Sequence, residues 1–139
     1  MARVLVIEDE SNISLVMEIA ISEGGHEVVT APNGRAGLEL LKQSPAPDII
    51  FVDLCLPGLS GRVVAETIHA DKRLRDIPVV IITGFTPNSD NFPPPDCYRA
   101  ILNKPFDLLD VLDLIERLTV PEKEKPAAFC PPVYLAGSL

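Results

Sequence analysis

With 139 residues, 47% of them apolar, the chain is sized for one domain with a substantial buried core and a short extension. A formal charge of −8 excludes the basic surface on which nonspecific binding to nucleic acid or anionic membrane depends. No apolar run approaches the ~20 residues of a membrane span, and the three cysteines, Cys55, Cys97 and Cys130, have neither disulfide-framework nor zinc-site spacing.

The first strand, Val4–Ile7, starts almost at the N-terminus, which leaves no room for a signal peptide and points to a reducing cytoplasm. Ser11 is placed to cap a helix in which Ile13, Val16, Met17, Ala20 and Ile21 repeat at helical spacing, and Gly24-Gly25 stops it. Glu27–Ala31 reads as a second strand. Asn33-Gly34 makes a turn into a short helix marked by Leu38 and Leu41, which ends before Pro45 and Pro47. A third strand, Ile49–Val52, runs into Asp53; Leu56-Pro57-Gly58 is a loop, and Ser60 can cap a third helix to about Ala70. Val79–Ile82 and Ala100–Leu102 are the fourth and fifth strands. A last helix, from about Asp107 to Leu118, carries Leu108, Val111, Leu112, Ile115 and Leu118 on one stripe with Leu114 at its margin. Strands alternating with helices give a doubly wound α/β sheet with right-handed crossovers.

Two segments depart from the alternation. Thr86–Asp96, where another helix is due, contains Pro87, Pro93, Pro94 and Pro95, and each interior proline costs a helix about 3 kcal/mol. At most a turn around Asn88–Phe92 is expected there. After residue 120 a charged linker leads to Ala127–Leu139, apolar and proline-interrupted, which reads as a frayed tail. The other reading of that tail has Phe129–Leu135 covering apolar surface that the absent helix leaves bare. The division is therefore a domain over 1–120 and a proline-containing tail over 121–139.

The apolar runs share one feature. Glu8-Asp9-Glu10, Asp53, Thr83 and Lys104-Pro105 each follow a strand, and parallel strands end on one edge, where ligands of open α/β sheets bind. Carboxylates, a hydroxyl and an ammonium gathered there make a site for a divalent cation and a phosphoryl group. No G-x-G-x-x-G follows the first strand and no P-loop is present, so dinucleotide and P-loop chemistry lack their loop. Cys55 stands where aspartyl phosphatases of D-x-D type carry a second acid. His26 and His69 read as surface residues.

In "VLVIEDE", "DIIFVDLCLPGLSG", "PVVIITG" and "LNKPF", in that order over about residues 2–119, the chain resembles the receiver domains of two-component response regulators. The resemblance implies a five-stranded parallel sheet of flavodoxin-like order 2-1-3-4-5, with an atypical or missing fourth helix. It implies that Asp53 is the phosphoacceptor and that Asp9, Glu8, Asp53 and the backbone carbonyl of Cys55 hold Mg²⁺ (or Mn²⁺). It assigns phosphoryl oxygens to the Thr83 hydroxyl and the Lys104 ammonium, with a cis Lys104-Pro105 bond; Gly84 leaves the approach to Asp53 open, and Glu10 only solvates its loop. The implied partners are a sensor histidine kinase or histidine phosphotransfer domain and a downstream protein, with no direct DNA binding, no membrane, and a weak homodimer permitted. Phosphotransfer to Asp53 and slow autodephosphorylation would be the only enzyme-like activities.

One departure from the family bears on output. Where receivers place an aromatic switch residue three positions before the lysine, this chain has Ile101, and Tyr98 has the parity of Lys104 instead. Output through a mobile loop at Pro87–Asp96 is one expectation. A phosphorylation-independent interaction module and a phosphate sink are the alternatives.

Overall fold

The apolar runs form strands because Val and Ile dominate them and each run has a core to face on both sides. The computed structural model describes residues 1–43, 45–84 and 92–119 and the backbone of 133–135. Its elements are β1 (Arg3–Ile7), α1 (Ser11–Glu23), β2 (Glu27–Ala31), α2 (Gly34–Leu41), β3 (Ile49–Asp53), α3 (Gly61–Ala70), β4 (Val79–Thr83), a 3₁₀ turn (Pro95–Cys97), β5 (Ala100–Asn103), α4 (Leu108–Leu118) and β6 (Val133–Leu135). All pairings are parallel. The first five strands have the order 2-1-3-4-5, as expected, and β6 extends the sheet beyond β5.

Alternation divides the core between the two faces. Val4, Val6, Ile49, Phe51, Val80, Ile82, Ala100 and Leu102 join Met17 and Ile21 of α1 and Val111, Leu114 and Ile115 of α4. Leu5, Ile7, Ile50, Val52, Ile81 and Ile101 join Leu41 of α2 and Val64, Ala65 and Ile68 of α3. Leu114, expected at the margin of the last helix, is 1% exposed and central. Leu109, five residues earlier and so about 140° around the helix, lies outside at 71% exposed.

Side chains cap three helices of four, and of these three only Ser60 was expected to. Asn33, Ser60 and Asp107 accept hydrogen bonds from Ala36 N (2.8 Å), Val63 N (3.3 Å) and Leu109 N (2.8 Å). Ser11, expected to cap α1, is instead its first helical residue, and the cap position belongs to Glu10, whose side chain makes no capping bond. His26, read as a surface residue, is half-buried and accepts the Ala2 amide at 2.9 Å through Nδ1.

Residues 85–91, the greater part of the expected fourth-helix region, lie outside the described residues. From Phe92 onward the segment packs inward: Phe92, Cys97 and Tyr98 are buried in the same cluster as Ile101, with the Phe92 and Tyr98 rings 6.2 Å apart. Strand parity placed Tyr98 off the Ile101 face. It joins that face because it precedes β5 and parity is not carried through the turn. The sixth strand was not expected. Val133–Leu135 pairs with Ala100–Leu102, a run so apolar that its open edge would be a pairing hazard.

Gly61 marks the tightest approach near the sheet edge: a Cβ there would run into the Asp53 carbonyl oxygen and lie 2.7 Å from Leu54 Cα. Gly61→Ala is expected to lower stability by about 1–3 kcal/mol, read from the urea midpoint; an unchanged midpoint would show that the loop shifts freely. Removing residues 120–139 uncovers the β5 edge and is expected to lower the melting temperature, and no shift would mean that β6 contributes nothing.

Candidate functional site

Three strand ends build the site. β1 delivers Glu8 and Asp9, β3 delivers Asp53, and β5 leads into Lys104. Each of Glu8, Asp9 and Asp53 offers an oxygen within 4.8 Å of the others. Glu8 and Asp53 are buried, at 2% and 3% exposed, while Asp9 is exposed at the rim. Such crowding of carboxylates in a dry pocket requires a counter-charge, which Lys104 supplies: its Nζ lies 2.9 Å from Asp53 Oδ2 and 3.4 Å from Glu8 Oε1.

Asp53 is held at both oxygens, since the Cys55 amide donates to Oδ1 at 2.9 Å. Gly58, at a φ of +73°, allows the loop after Cys55 to turn back toward α3. Thr83, at the end of β4, is 2% exposed, and its carbonyl accepts the Lys104 amide at 2.9 Å, which ties the ends of β4 and β5 together. The Lys104-Pro105 bond is cis. Among the described residues, a Cβ on Gly84 would meet nothing within 4 Å.

Electrostatics follow from burial. Removal from water, aided by the hydrogen bond and negative charge of Asp53, pushes the Glu8 carboxyl up to about 8, against smaller opposing effects of the Glu10 amide and Lys104. The Glu10 amide donates to Glu8 Oε2 at 3.2 Å. Glu8 Oε1 is buried with no hydrogen-bond partner among the described residues; the Lys104 contact at 3.4 Å is a charge contact without bonding geometry. For Lys104, burial acts downward, but the Asp53 hydrogen bond and the charges of Asp53 and Glu8 outweigh it and raise its pKa above the ordinary value. Burial, then the Asp53 charge, pushes the Cys55 thiol up, so it stays protonated and poorly nucleophilic.

An orphaned buried carboxylate oxygen among hard oxygen donors fits a divalent cation of the Mg²⁺ type. Sequence reasoning placed Glu8, Asp9, Asp53, Thr83 and Lys104 at this edge, and the structure brings the three carboxylates and the ammonium together. It missed Glu10. That carboxylate is not merely solvating a loop: its Oε1 lies 3.5 Å from Lys104 Nζ. The two residues are 94 positions apart, and no local pattern signals the pairing.

The family model described as "Response regulator receiver domain" matches residues 4–116. The chain belongs to the response regulator receiver family. This receiver is 31% identical over 108 residues to Protein PilH of Pseudomonas aeruginosa, covering 77% of this chain and 88% of that protein. It is 32% identical over 128 residues to the DNA-binding dual master transcriptional regulator RpaA of Synechocystis, covering 85% of this chain and 49% of that protein. The chain thus spans about half of RpaA and 38% of the next curated relative, AfsQ1 of Streptomyces coelicolor. Among solved structures, a CheY-like receiver domain protein of Methanospirillum hungatei superposes with a TM-score of 0.79 at 25% identity, covering 90% of this chain and 99% of that one. Chemotaxis protein CheY4 of Vibrio cholerae, with a TM-score of 0.77 at 24% identity over 85% of this chain and 98% of that one, shares the fold. No helix among the described residues of the receiver is long and apolar enough to cross a membrane.

The raised Glu8 value has a consequence for stability. The folded state keeps a proton that the unfolded chain loses near 4.5, so this group's contribution is fully present below about 4.5 and is lost as pH rises through about 8. In EDTA, the urea midpoint is expected to fall over this window, and Glu8→Gln should flatten the decline. An equal slope in both proteins would remove Glu8 as its source.

Proposed function

We propose that this receiver accepts a phosphoryl group on Asp53 from a phosphohistidine, with Mg²⁺ (or Mn²⁺) held by Asp9, Asp53, the Cys55 carbonyl and Glu8. The observation that carries the reading is the contact of Lys104 with Asp53 at 2.9 Å beside three convergent carboxylates. An Asp53 oxygen attacks phosphorus, the phosphorus–nitrogen bond breaks, and its electron pair leaves on the imidazole. The difficulty is bringing an anion up to an anion. A cation held by these residues would supply the charge that neutralises the phosphoryl oxygens.

The chain's own residues do the positioning. The Cys55 amide and Lys104 fix the Asp53 carboxylate, so the nucleophile is oriented before the donor arrives. Lys104 then passes its hydrogen bond to a phosphoryl oxygen, and the Thr83 hydroxyl takes another. Slow hydrolysis follows by in-line attack of water on the phosphorus. The natural donor is a sensor histidine kinase or a histidine phosphotransfer domain, and output runs through protein contacts with a downstream partner. The domain carrying this activity is 1–120. The likeness to PilH supports output without DNA contact by this chain, and the compartment is the cytoplasm.

A second reading, an interaction module or phosphate sink without a switch, has one observation in its favour. The switch position holds the aliphatic Ile101, 3% exposed, and Tyr98 is packed in the core at 7% exposed.

Intact mass after incubation with acetyl phosphate should show a phosphate-sized gain that requires both Mg²⁺ and Asp53, absent in Asp53→Ala and in EDTA. Absence of the gain together with failure to bind Mg²⁺ and beryllofluoride would move the reading to the interaction module.

A further inference from the structure

Lys104 has three N–H donors and three carboxylate neighbours. Asp53 and Glu8, whose side chains are 4% and 0% exposed, hold it from inside the pocket. The third neighbour, Glu10, approaches at 3.5 Å with a side chain 60% exposed. Glu10 therefore sits on the solvent side of the one cation that the described residues place in the site. Its side chain does nothing for α1, where it occupies the cap position without a capping bond. Neither burial nor helix capping accounts for the carboxylate's place.

We propose that Glu10 is a specificity-determining residue that selects against small free phosphoryl donors; this rests on the phosphoacceptor reading given above. A phosphoryl donor or its analogue reaches Asp53 as an anion, and it has to take a Lys104 hydrogen bond to be held. Glu10 opposes both steps: it adds a negative charge at the mouth, and it competes for the outward-facing part of the ammonium. A free donor such as acetyl phosphate has no other contacts to offset this. A phosphoryl group carried on a protein does, because docking contacts remote from the site contribute their own free energy. The residue thus tilts the receiver toward a protein donor through charge alone, with no pocket that recognises the rest of the small molecule.

The effect is coulombic and exposed, so it is modest and screened: one charge at this separation near water is worth roughly two- to five-fold in a rate or binding constant, and salt removes most of it. The test uses the full chain with Glu10→Gln and, as a control of equal net charge, Asp76→Asn, an exposed acid ahead of β4 at the opposite edge of the sheet. The initial rate of phosphorylation by acetyl phosphate and the dissociation constant of beryllofluoride are measured in Mg²⁺ at low salt and at 1 M salt. Glu10→Gln should raise the rate and tighten beryllofluoride roughly two- to five-fold at low salt, with the gain collapsing at 1 M, while Asp76→Asn stays at the wild-type values. Equal behaviour of the two variants, or a Glu10→Gln gain that survives 1 M salt, overturns the proposal. Wild-type protein that takes up neither phosphate nor beryllofluoride would instead overturn the phosphoacceptor reading beneath it.

Discussion

Glu8, Asp9 and Asp53 repel one another, yet the end of the sheet holds an oxygen of each within 4.8 Å of the others. Everything near them answers that repulsion. Lys104 spends its ammonium on Asp53 and Glu8, the Cys55 amide donates to Asp53, and the Glu10 amide donates to Glu8. Glu8 still retains its proton to about 8, because its burial and the neighbouring Asp53 outweigh the pull of Lys104. A site left in this condition has an affinity for added positive charge built in. That makes a cation the natural completion of the pocket.

The rest of the fold keeps this arrangement from relaxing. β1 and β3 are neighbours in the sheet, paired from Val4 with Ile49 to Ile7 with Val52, so Glu8 and Asp53 emerge side by side. β4 and β5 are paired up to Thr83 with Asn103, which puts Lys104 one step beyond the hydroxyl. Each of these strands is packed on both faces, and a shift of one residue would move an entire apolar set out of its layer. Gly61 closes the loop from below because no larger residue fits against the Asp53 carbonyl. The precision of the site is thus a product of core packing some distance from the chemistry.

The side of the sheet beyond β4 is arranged differently from the site. Phe92, Cys97, Tyr98 and Ile101 are buried together, and β5 has a short sixth strand on its outer edge. Tyr98 is packed into the core beside Ile101, and an edge already paired does not advertise itself to a partner. The carboxylate site thus depends on strand ends that the sheet fixes, while this far side depends on packing of its own.

Periodicity and residue type were enough to read the five principal strands, because a strand buried on both faces must be a run of Val, Ile and similar residues whatever its partners. The grouping of Glu8, Asp9, Asp53 and Lys104 was legible for the same reason: parallel strands have one carboxyl edge, and polar residues placed just past each apolar run must meet there. The cap at Ser60 was legible because capping is local. The sequence alone did not reveal Glu10 against Lys104, the depth of Leu114, the shared cluster of Tyr98 and Ile101, or the pairing of Val133–Leu135 with β5. Each of these depends on distances between residues far apart in the chain or across an irregular turn, where parity and spacing carry no information. Only the packed structure sets those distances, since they follow from how helices cross the sheet and not from the order of the residues.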